Sequence, residues 1–386
     1  MMGVGLAVPV LPTLVGTFTT DVQSQSYWYG ALLFTFGATQ FLCAPMLGAL
    51  SDRFGRRVVL LMSIAGLGLM FLACGLAQSL VQLLLARILG GALAANVSVA
   101  NAYVADITTT EDRAKSFGRL GAAFGLGFIV GPMVGGFVGG YGIRYPFFIA
   151  AALAFLNLGY GFFVLPESLP GDRRKPISLA RANPFGALRG LFRLAGVGPL
   201  VAVMALVGLG QFVLISTWVL FNTFRHGWGP RENGISFFAF GLLSAVVQGG
   251  LLGLLVRKLG ERRLVLAGIV SSMSAYIGYG LVPQGWMVYV VMMFNLLGYS
   301  VASSMNALVS KAAPANEQGI AMGSVASLNS LVAVVAPLLG IPLFAHVSRF
   351  PREDIRVGAT FFLSAVLAGA GLAIAAWHFA REKRTT

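Results

Sequence analysis

The stretch Gly48-Ala-Leu-Ser-Asp-Arg-Phe-Gly-Arg-Arg57 joins two long apolar segments of a 386-residue chain. A related stretch, Gly253-Leu-Leu-Val-Arg-Lys-Leu-Gly-Glu-Arg-Arg263, joins two more such segments about half a chain later. Internal duplication of a multi-helix unit is typical of membrane proteins built from two repeats, with a binding site between them. The repeated hairpin therefore predicts two equivalent helical bundles in a membrane.

The composition also favours insertion into a lipid bilayer. The chain is 57% hydrophobic and only 10% charged, whereas a soluble domain has about 25% charged residues. Its 50 glycines suit close packing of helices in lipid. The net charge of +14 does not indicate a nucleic-acid-binding face, because long apolar runs separate the few basic residues. We expect an integral membrane protein that contacts the bilayer and has no nucleic-acid partner.

Twelve segments are long and apolar enough to be transmembrane helices. They predict an all-α membrane protein with an N-terminal six-helix bundle over residues 1–165, a basic cytoplasmic linker over 166–196, and a C-terminal six-helix bundle with a short tail over 197–386. The segments lie near residues 2–20, 27–50, 58–77, 80–105, 116–140, 145–165, 197–222, 234–256, 264–283, 286–310, 318–346 and 355–380.

The distribution of Lys and Arg predicts the orientation, because basic residues in short loops stay on the cytoplasmic side. With both termini in the cytoplasm, twenty of the 27 basic residues fall in cytoplasmic segments and six in outer loops. The six outer residues are Arg144, Arg225, Arg231, Arg349, Arg352 and Arg356. Arg87 is the remaining one and lies inside the fourth segment. We therefore expect both termini in the cytoplasm.

The Gly48–Arg57 stretch has more pattern than a basic loop requires. Glycines permit a tight turn and close approach of helices. Asp52 can lie near the positive N-terminal end of a helix, and the arginines can pair with acids such as Asp106. We interpret this stretch as a conformational latch; the alternative is a loop that only directs membrane insertion. The predicted latch residues are Gly48, Asp52, Arg53, Gly55, Arg56, Arg57 and Asp106.

The stretch Gly127-Phe-Ile-Val-Gly-Pro-Met-Val-Gly-Gly136 lies in the fifth segment. Its small residues, Gly127, Gly131, Gly135 and Gly136, would form a packing face. The internal Pro132 should bend the helix and free backbone groups that a neighbour must satisfy. The stretch is either a functional motif or a packing surface only.

Arg87 is the only ionisable side chain embedded in a predicted span. A charge in lipid costs at least ~2.5–3.5 kcal/mol, so such a residue usually faces the protein interior and has a function. A structural arginine bonded to backbone carbonyls is the alternative. Intramembrane amides also suit a polar ligand, although amides often only bond across helices. The candidate cavity residues are Arg87, Asn96, Gln40, Gln211 and Gln248.

Other chemistry finds no support in the sequence. The three histidines are scattered, and Cys43 and Cys74 fall toward opposite ends of adjacent segments, so we expect no metal site and no disulfide. A phosphate-binding loop and hydrolase motifs are absent from the sequence. We expect neither an enzyme nor a bound cofactor.

The latch stretch resembles the loop signature of the major facilitator superfamily, and Gly127–Gly136 resembles the helix-five motif of its drug:proton antiporters, which is specific to exporters. The whole chain is similar to the tetracycline-efflux branch of that group. The stretches most similar to it are Gln40-Phe-Leu-Cys-Ala-Pro-Met-Leu-Gly48, continuing to Arg57, then Ala102-Tyr-Val-Ala-Asp-Ile-Thr108 and Leu165-Pro-Glu-Ser168.

The resemblance implies the major facilitator fold and exchange of a tetracycline–divalent-cation chelate for a proton by alternating access. It also implies that the latch locks the two halves on the cytoplasmic side and that Arg87 assists proton transfer or substrate binding. Two departures bear on proton coupling. The family's helix-one Asp would fall just before Met1, and its helix-nine Asp reads Ser272 here.

All 13 acidic residues therefore map to loops or helix ends. Proton coupling needs a group whose pKa a changing environment can shift, and Arg stays protonated. Either the true start lies upstream and supplies the helix-one acid, which we favour, or coupling uses Asp21 or Glu232, or the protein is not proton-coupled.

We expect a monomeric exporter of small amphipathic drugs, with tetracycline as the leading substrate, in the inner membrane of a bacterium. The alternatives are an importer or exporter of another small organic solute without proton coupling, and a transport-inactive relative.

Overall fold

The structure is a computed structural model that describes residues 2–94, 96–109, 112–174, 198–313 and 318–385. Within these ranges the regular elements are helical, with no β-strand. Most of the predicted linker lies outside the described residues, because they omit residues 175–197.

The helices follow the apolar runs and end at polar or glycine-containing turns. Up to residue 174 they are α1 (Met2–Ala7), α2 (Leu11–Gly16), α3 (Val22–Phe54), α4 (Arg56–Leu76), α5 (Leu80–Leu93), α6 (Asn96–Ile107), α7 (Arg113–Tyr141) and α8 (Tyr145–Val164). From residue 198 they are α9 (Gly198–His226), α10 (Pro230–Val246), a π-helical turn (Val247–Leu251), α11 (Leu252–Leu259), α12 (Glu261–Leu281), α13 (Gly285–Phe294), α14 (Val301–Ala312), α15 (Gln318–Val347) and α16 (Ala359–Thr385).

The structure differs from the sequence prediction at residues 2–20, where two short helices, α1 and α2, replace a single span. Pro9 has no amide hydrogen to donate to the carbonyl of Gly5, so the α-helical ladder is interrupted there. The Gly5 carbonyl instead accepts from the amide of Val8, in a turn. Pro12 then stands in the first turn of α2, where a missing amide hydrogen is tolerated.

The described residues hold ten spans that are long and apolar enough to cross a membrane, with α5 and α6 forming one of them. The pair α13 and α14, bent by 60°, makes an eleventh if it crosses as one span. When the bent pair is counted, the twelve predicted spans exceed these eleven by one, the interrupted segment at residues 2–20.

The first compact unit comprises Met1–Asp21, Ala31–Gly186 and Gly229–Phe238. In this unit α4 packs against α5 and α8, and α1 packs against α7 and α8. A buried cluster of Leu47, Val59, Leu60 and Val99 joins the ends of α3, α4 and α6. Leu47 and Val59 flank the Gly48–Arg57 stretch, so apolar packing holds this hairpin in place from both sides.

The second compact unit comprises Val22–Gly30, Ala187–Trp228 and Ala239–Thr386. In this unit α9 packs against α15 and α16, and α12 packs against α14 and α16. Aromatic rings fill the centre, with the ring centroids of Phe221 and Phe361 4.5 Å apart and those of Trp218 and Tyr279 5.1 Å apart, both edge-on. Such pairs stabilise by about 0.5–1.5 kcal/mol beyond their buried area. They hold α9, α12 and α16 together.

An ion pair orders the turn before α16. Asp354 accepts from the amide of Arg356 at 2.8 Å, and its carboxylate lies 2.6 Å from Arg356 Nη2. These hydrogen bonds from Arg356 lower the pKa of Asp354 to about 2. The carboxylate therefore stays charged throughout the physiological pH range.

Candidate functional site

Gly55 forms the sharp turn between α3 and α4. Its φ of +108° lies in the region that side chains rarely adopt, so glycine is required there. The carboxylate of Glu167 occupies the space beside it, and an added methyl group would come within 2.7 Å of the Glu167 Cδ. Both the backbone conformation and the close neighbour thus explain the predicted glycine.

Arg56 connects three parts of the predicted latch. Its Nη1 lies 2.5 Å from Asp52 Oδ1 at the end of α3, and its Nε donates to Asp106 Oδ2 of α6 at 3.1 Å. The same Nη1 donates to the hydroxyl of the buried Ser51 at 2.6 Å. Only 14% of the Arg56 side chain is exposed, so partial burial strengthens these charge-assisted bonds.

Glu167 completes the cluster, and residue-by-residue reasoning on the sequence missed it. Its carboxylate accepts from the amides of Arg56 at 2.8 Å and Arg57 at 3.3 Å, at the positive N-terminal end of α4. It also accepts from the amide of Leu169 at 3.1 Å. The sequence signal that could have identified Glu167 is the Leu165–Ser168 stretch, which resembles the tetracycline-efflux branch.

The remaining latch residues contribute unequally. Arg57 donates to the carbonyl of Phe162 on α8 and lies 5.6 Å from the centroid of its ring. Arg53 lies over the ring of its neighbour Phe54, at 5.4 Å, and open space surrounds Gly48. The structure thus brings together Asp52, Gly55, Arg56, Arg57 and Asp106, and keeps Arg53 and Gly48 at the margin.

At the Gly127–Gly136 stretch, the backbone of α7 packs closely against the backbones of α1 and α10. A methyl group added at Gly131 would lie 2.8 Å from the Met2 carbonyl oxygen of α1, and one at Gly136 would lie 2.9 Å from the Cα of Gly234 in α10. Gly135 faces the Leu6 carbonyl in the same way. Pro132 and the carbonyl of Gly127 meet Gly5 of α1, so every position of the predicted motif takes part in close helix packing.

Arg87 of α5 is buried, with 6% of its surface exposed. Its guanidinium lies 5.4 Å from the centroid of the Phe36 ring. Its Nε has no hydrogen-bond partner among the described residues. The positive charge thus contacts an aromatic face, and its Nε–H remains available as a hydrogen-bond donor.

The predicted cavity amides lie in different surroundings. Gln40 donates to the carbonyl of Ala94, at the junction of α5 and α6, at 2.9 Å. Gln211 of α9 accepts from the buried phenol of Tyr276 on α12 at 2.7 Å. These two side chains are partly buried, whereas Gln248 lies exposed in the π-helical turn. Asn96 begins α6, and its side chain lies outside the described part of the structure.

Neutral groups surround Ser272, where the resemblance implies a carboxylate. Ser272 is buried beside Gly298, at the break between α13 and α14. The neighbouring Ser271 donates to Asn295 Oδ1 at 3.2 Å, and Tyr299 donates to the carbonyl of Met292 at 3.3 Å. Serine and phenol hydroxyls therefore donate to backbone carbonyls at this break. Among the described residues, no group of three or more His, Cys, Asp or Glu side chains is placed to hold a metal ion.

Comparison with known sequences decides the family. The sequence profile of the Major Facilitator Superfamily matches residues 1–337 and 251–386. This chain belongs to the major facilitator superfamily. It is therefore a multi-pass membrane transporter rather than an enzyme, and the predicted fold class of this superfamily is confirmed.

Individual relatives agree with this placement. The chain is 36% identical to the tetracycline resistance protein, class C, of Escherichia coli, over 94% of this chain and 91% of that protein. It is 31% identical to multidrug resistance protein 2 of Bacillus subtilis (strain 168), over 91% and 87% of the two chains. The predicted similarity to tetracycline-efflux proteins is thus confirmed.

Solved structures share the fold. The human organic anion transporter MFSD10 superposes with a TM-score of 0.71 at 23% identity, covering 97% of this chain and 95% of the other. The nucleoside transporter NupG superposes with a TM-score of 0.73 at 14% identity, covering 98% and 95%. At these identities the likeness concerns the fold alone.

Proposed function

We propose that this superfamily member exports small amphipathic drugs, with tetracycline as the leading substrate, from the cytoplasm by alternating access and in exchange for protons. The observation that carries the proposal is the 36% identity to a tetracycline resistance protein over 94% of the chain. The similarity to a multidrug resistance protein supports the broader class of drug substrates.

The contacts around Arg56 support alternating access. The cluster joins the end of α3, the start of α4, α6 and the segment after α8 through charge-assisted hydrogen bonds. The Asp52 and Asp106 side chains of these pairs remain 35% and 27% exposed, so water can solvate the carboxylates when the pairs separate, and the cluster can open and re-form. Such a switchable element is what a conformational latch needs.

Proton exchange is the part of the proposal that needs its own test. The acidic side chains with described contacts lie at helix ends and in loops: Asp52, Asp106 and Glu167 in the latch, Asp21 before α3, Glu232 at the start of α10, Glu261 at the start of α12, and Asp354 before α16. We propose Asp21 or Glu232 as the coupling group among these residues. Glu232 accepts from the amide of Gly229 at 2.9 Å, in the turn before α10.

The remaining proposals concern the oligomeric state of the protein, its location and the molecules it binds. We propose that the protein acts as a monomer in the bacterial cytoplasmic membrane, with both termini in the cytoplasm. The substrate is a small molecule, taken up as the free drug or as a divalent-cation chelate, and the proton is the coupling ion.

A susceptibility panel in an efflux-deficient bacterial host tests drug export. Expression of the chain should raise the inhibitory concentration of tetracycline, and Asp52→Asn should abolish this effect while leaving the folded amount unchanged. Arg87→Ala should also remove the resistance, because it deletes the buried cation. Absence of resistance to every compound would favour an importer or a transport-inactive relative.

Inverted membrane vesicles test the coupling. Adding tetracycline to vesicles with an established pH gradient should release protons from the lumen, and Glu232→Gln should reduce this response if Glu232 is the coupling group. Tetracycline uptake without any proton movement would replace antiport with export that is not proton-coupled.

A further inference from the structure

A π-helical turn interrupts the span from Pro230 to Leu259. Such turns are rare, occur as single turns within α-helices, and are frequent at functional sites. This one, Val247–Leu251, holds Gln248, whose side chain is exposed. An amide facing hydrocarbon loses its hydrogen bonds to water, so intramembrane polar side chains face the protein interior or a water-filled space. The turn therefore marks a polar surface within the span.

Two serines fix the orientation of the Gln248 amide. Its Nε2 donates to Ser244 Oγ at 2.7 Å, and its Oε1 accepts from Ser303 Oγ at 3.0 Å. Ser244 lies one turn earlier in α10, whereas Ser303 belongs to α14. Because both ends of the amide are held, its remaining hydrogen and lone pair point in defined directions before any ligand arrives. Preorganised groups lose less entropy when they bind.

Asn306 adds an acceptor without a donor. It follows Ser303 by three residues in α14, so the two side chains lie on the same face of the helix. Its Oδ1 is buried and has no hydrogen-bond partner among the described residues. A buried acceptor that lacks a donor carries an energetic cost, because it has lost its hydrogen bonds to water. A donor supplied by a bound molecule would remove this cost.

We propose that Ser244, Gln248, Ser303 and Asn306 form a substrate subsite for an uncharged polar edge that bears hydroxyl or amide hydrogens beside carbonyl oxygens. The subsite rests on the proposed function and specifies which part of the exported drug this unit recognises. None of the four side chains is charged, so a cation without hydrogen-bonding groups gains nothing from them. Gln248 also differs from Gln40 and Gln211 in being exposed, whereas those two side chains are partly buried.

The test compares two probes by equilibrium binding to the purified full chain in detergent. Tetracycline has an edge of hydroxyl, carbonyl and amide groups, whereas tetraphenylphosphonium is a permanent cation without hydrogen-bond donors or acceptors. Asn306→Leu and Ser303→Ala should each raise the Kd of tetracycline roughly 2- to 10-fold, the loss expected for one hydrogen bond. Neither substitution should change the Kd of tetraphenylphosphonium.

A charge substitution provides a second and opposite readout. Gln248→Glu keeps the shape of the side chain but places a carboxylate in the subsite, so tetraphenylphosphonium should bind more tightly and tetracycline more weakly. Ser327→Ala serves as the matched control, because its hydroxyl donates to the carbonyl of Gly323 in its own helix α15. The Kd values of both probes should stay unchanged in this control.

The outcomes separate the subsite from the wider proposal. Wild-type protein that binds tetracycline with the same Kd as Asn306→Leu and Gln248→Glu would overturn the subsite and leave drug export standing. A parallel loss of both probes in these variants would overturn it too, since only general damage to the fold acts on both. Wild-type protein that binds neither probe would overturn the proposed function and the subsite together.

Discussion

At the scale of single residues, Arg56 makes contacts that a lysine cannot reproduce. The guanidinium reaches Asp52 through Nη1 and Asp106 through Nε, two atoms with fixed and different directions. An ammonium is a single point with no such fork. We therefore expect Arg56→Lys, which preserves the charge, to weaken the cluster by about 1–2 kcal/mol and to reduce tetracycline export. Transport rate and thermal unfolding in detergent measure the two effects.

Arg53→Lys is the control for that substitution. Arg53 stands three residues earlier in the same turn and lies over the ring of Phe54. The replacement should leave transport and the unfolding temperature close to those of the wild type. If both variants export tetracycline like the wild type, the two-carboxylate contact of Arg56 has no part in the transport cycle.

The latch shows why some contacts can be predicted from the sequence and others cannot. Asp52 and Arg56 are four residues apart, and their pairing follows from local pattern. Glu167 reaches the amide of Arg56 from 111 positions further along the chain, through the packing of α8 against α4. The pattern of the sequence does not predict which acidic residue lies at the start of α4. That contact is therefore visible only once the helices are packed.

At the scale of helices, α7 offers a matched pair of glycines. Gly136 meets the backbone of α10 at Gly234, whereas nothing lies within 4 Å of a methyl group added at Gly140, one turn later. Because backbone atoms cannot rotate away, Gly136→Val should separate the two helices. Overpacking costs about 1–3 kcal/mol, so the unfolding temperature and the rate of export should both fall. Gly140→Val, which adds the same side chain to the same helix, should change neither.

The result also decides between the two interpretations of the Gly127–Gly136 motif. If Gly136→Val lowers stability but leaves the transport rate per folded molecule unchanged, the motif serves packing only. A loss of transport beyond the loss of folded protein would support its role in export.

Helix irregularities set the limit of prediction at this scale. The apolar periodicity located α3 to α8 well, because long runs separated by charged turns leave few alternatives. Two prolines three residues apart, Pro9 and Pro12, are a sequence signal for this break, but the apolar run around them predicted a continuous span. The π-helical turn left no such signal, since one extra residue per turn does not change composition. Gln248 was predicted as a cavity residue from its residue type alone, and its hydrogen bonds with Ser244 and Ser303 are visible only in the structure.

At the scale of the whole molecule, the unequal distribution of basic residues predicts the orientation of every span. α16 provides the sharpest test, because its two ends should lie on opposite sides of the membrane. Glu353 lies just before it and Arg381 near its end, and both residues are exposed. After Cys43 and Cys74 are replaced by serine, single Glu353→Cys and Arg381→Cys variants can be labelled with a membrane-impermeant maleimide.

We expect Glu353→Cys to react in intact spheroplasts, and Arg381→Cys to react only in inverted vesicles, because Arg381 belongs to the basic tail that the positive-inside rule retains in the cytoplasm. The cysteine-free parent should take up no label on either side. Labelling of Arg381→Cys in spheroplasts would place the C-terminus outside. That result would contradict the predicted location of both termini in the cytoplasm, and with it the orientation that the basic residues predict.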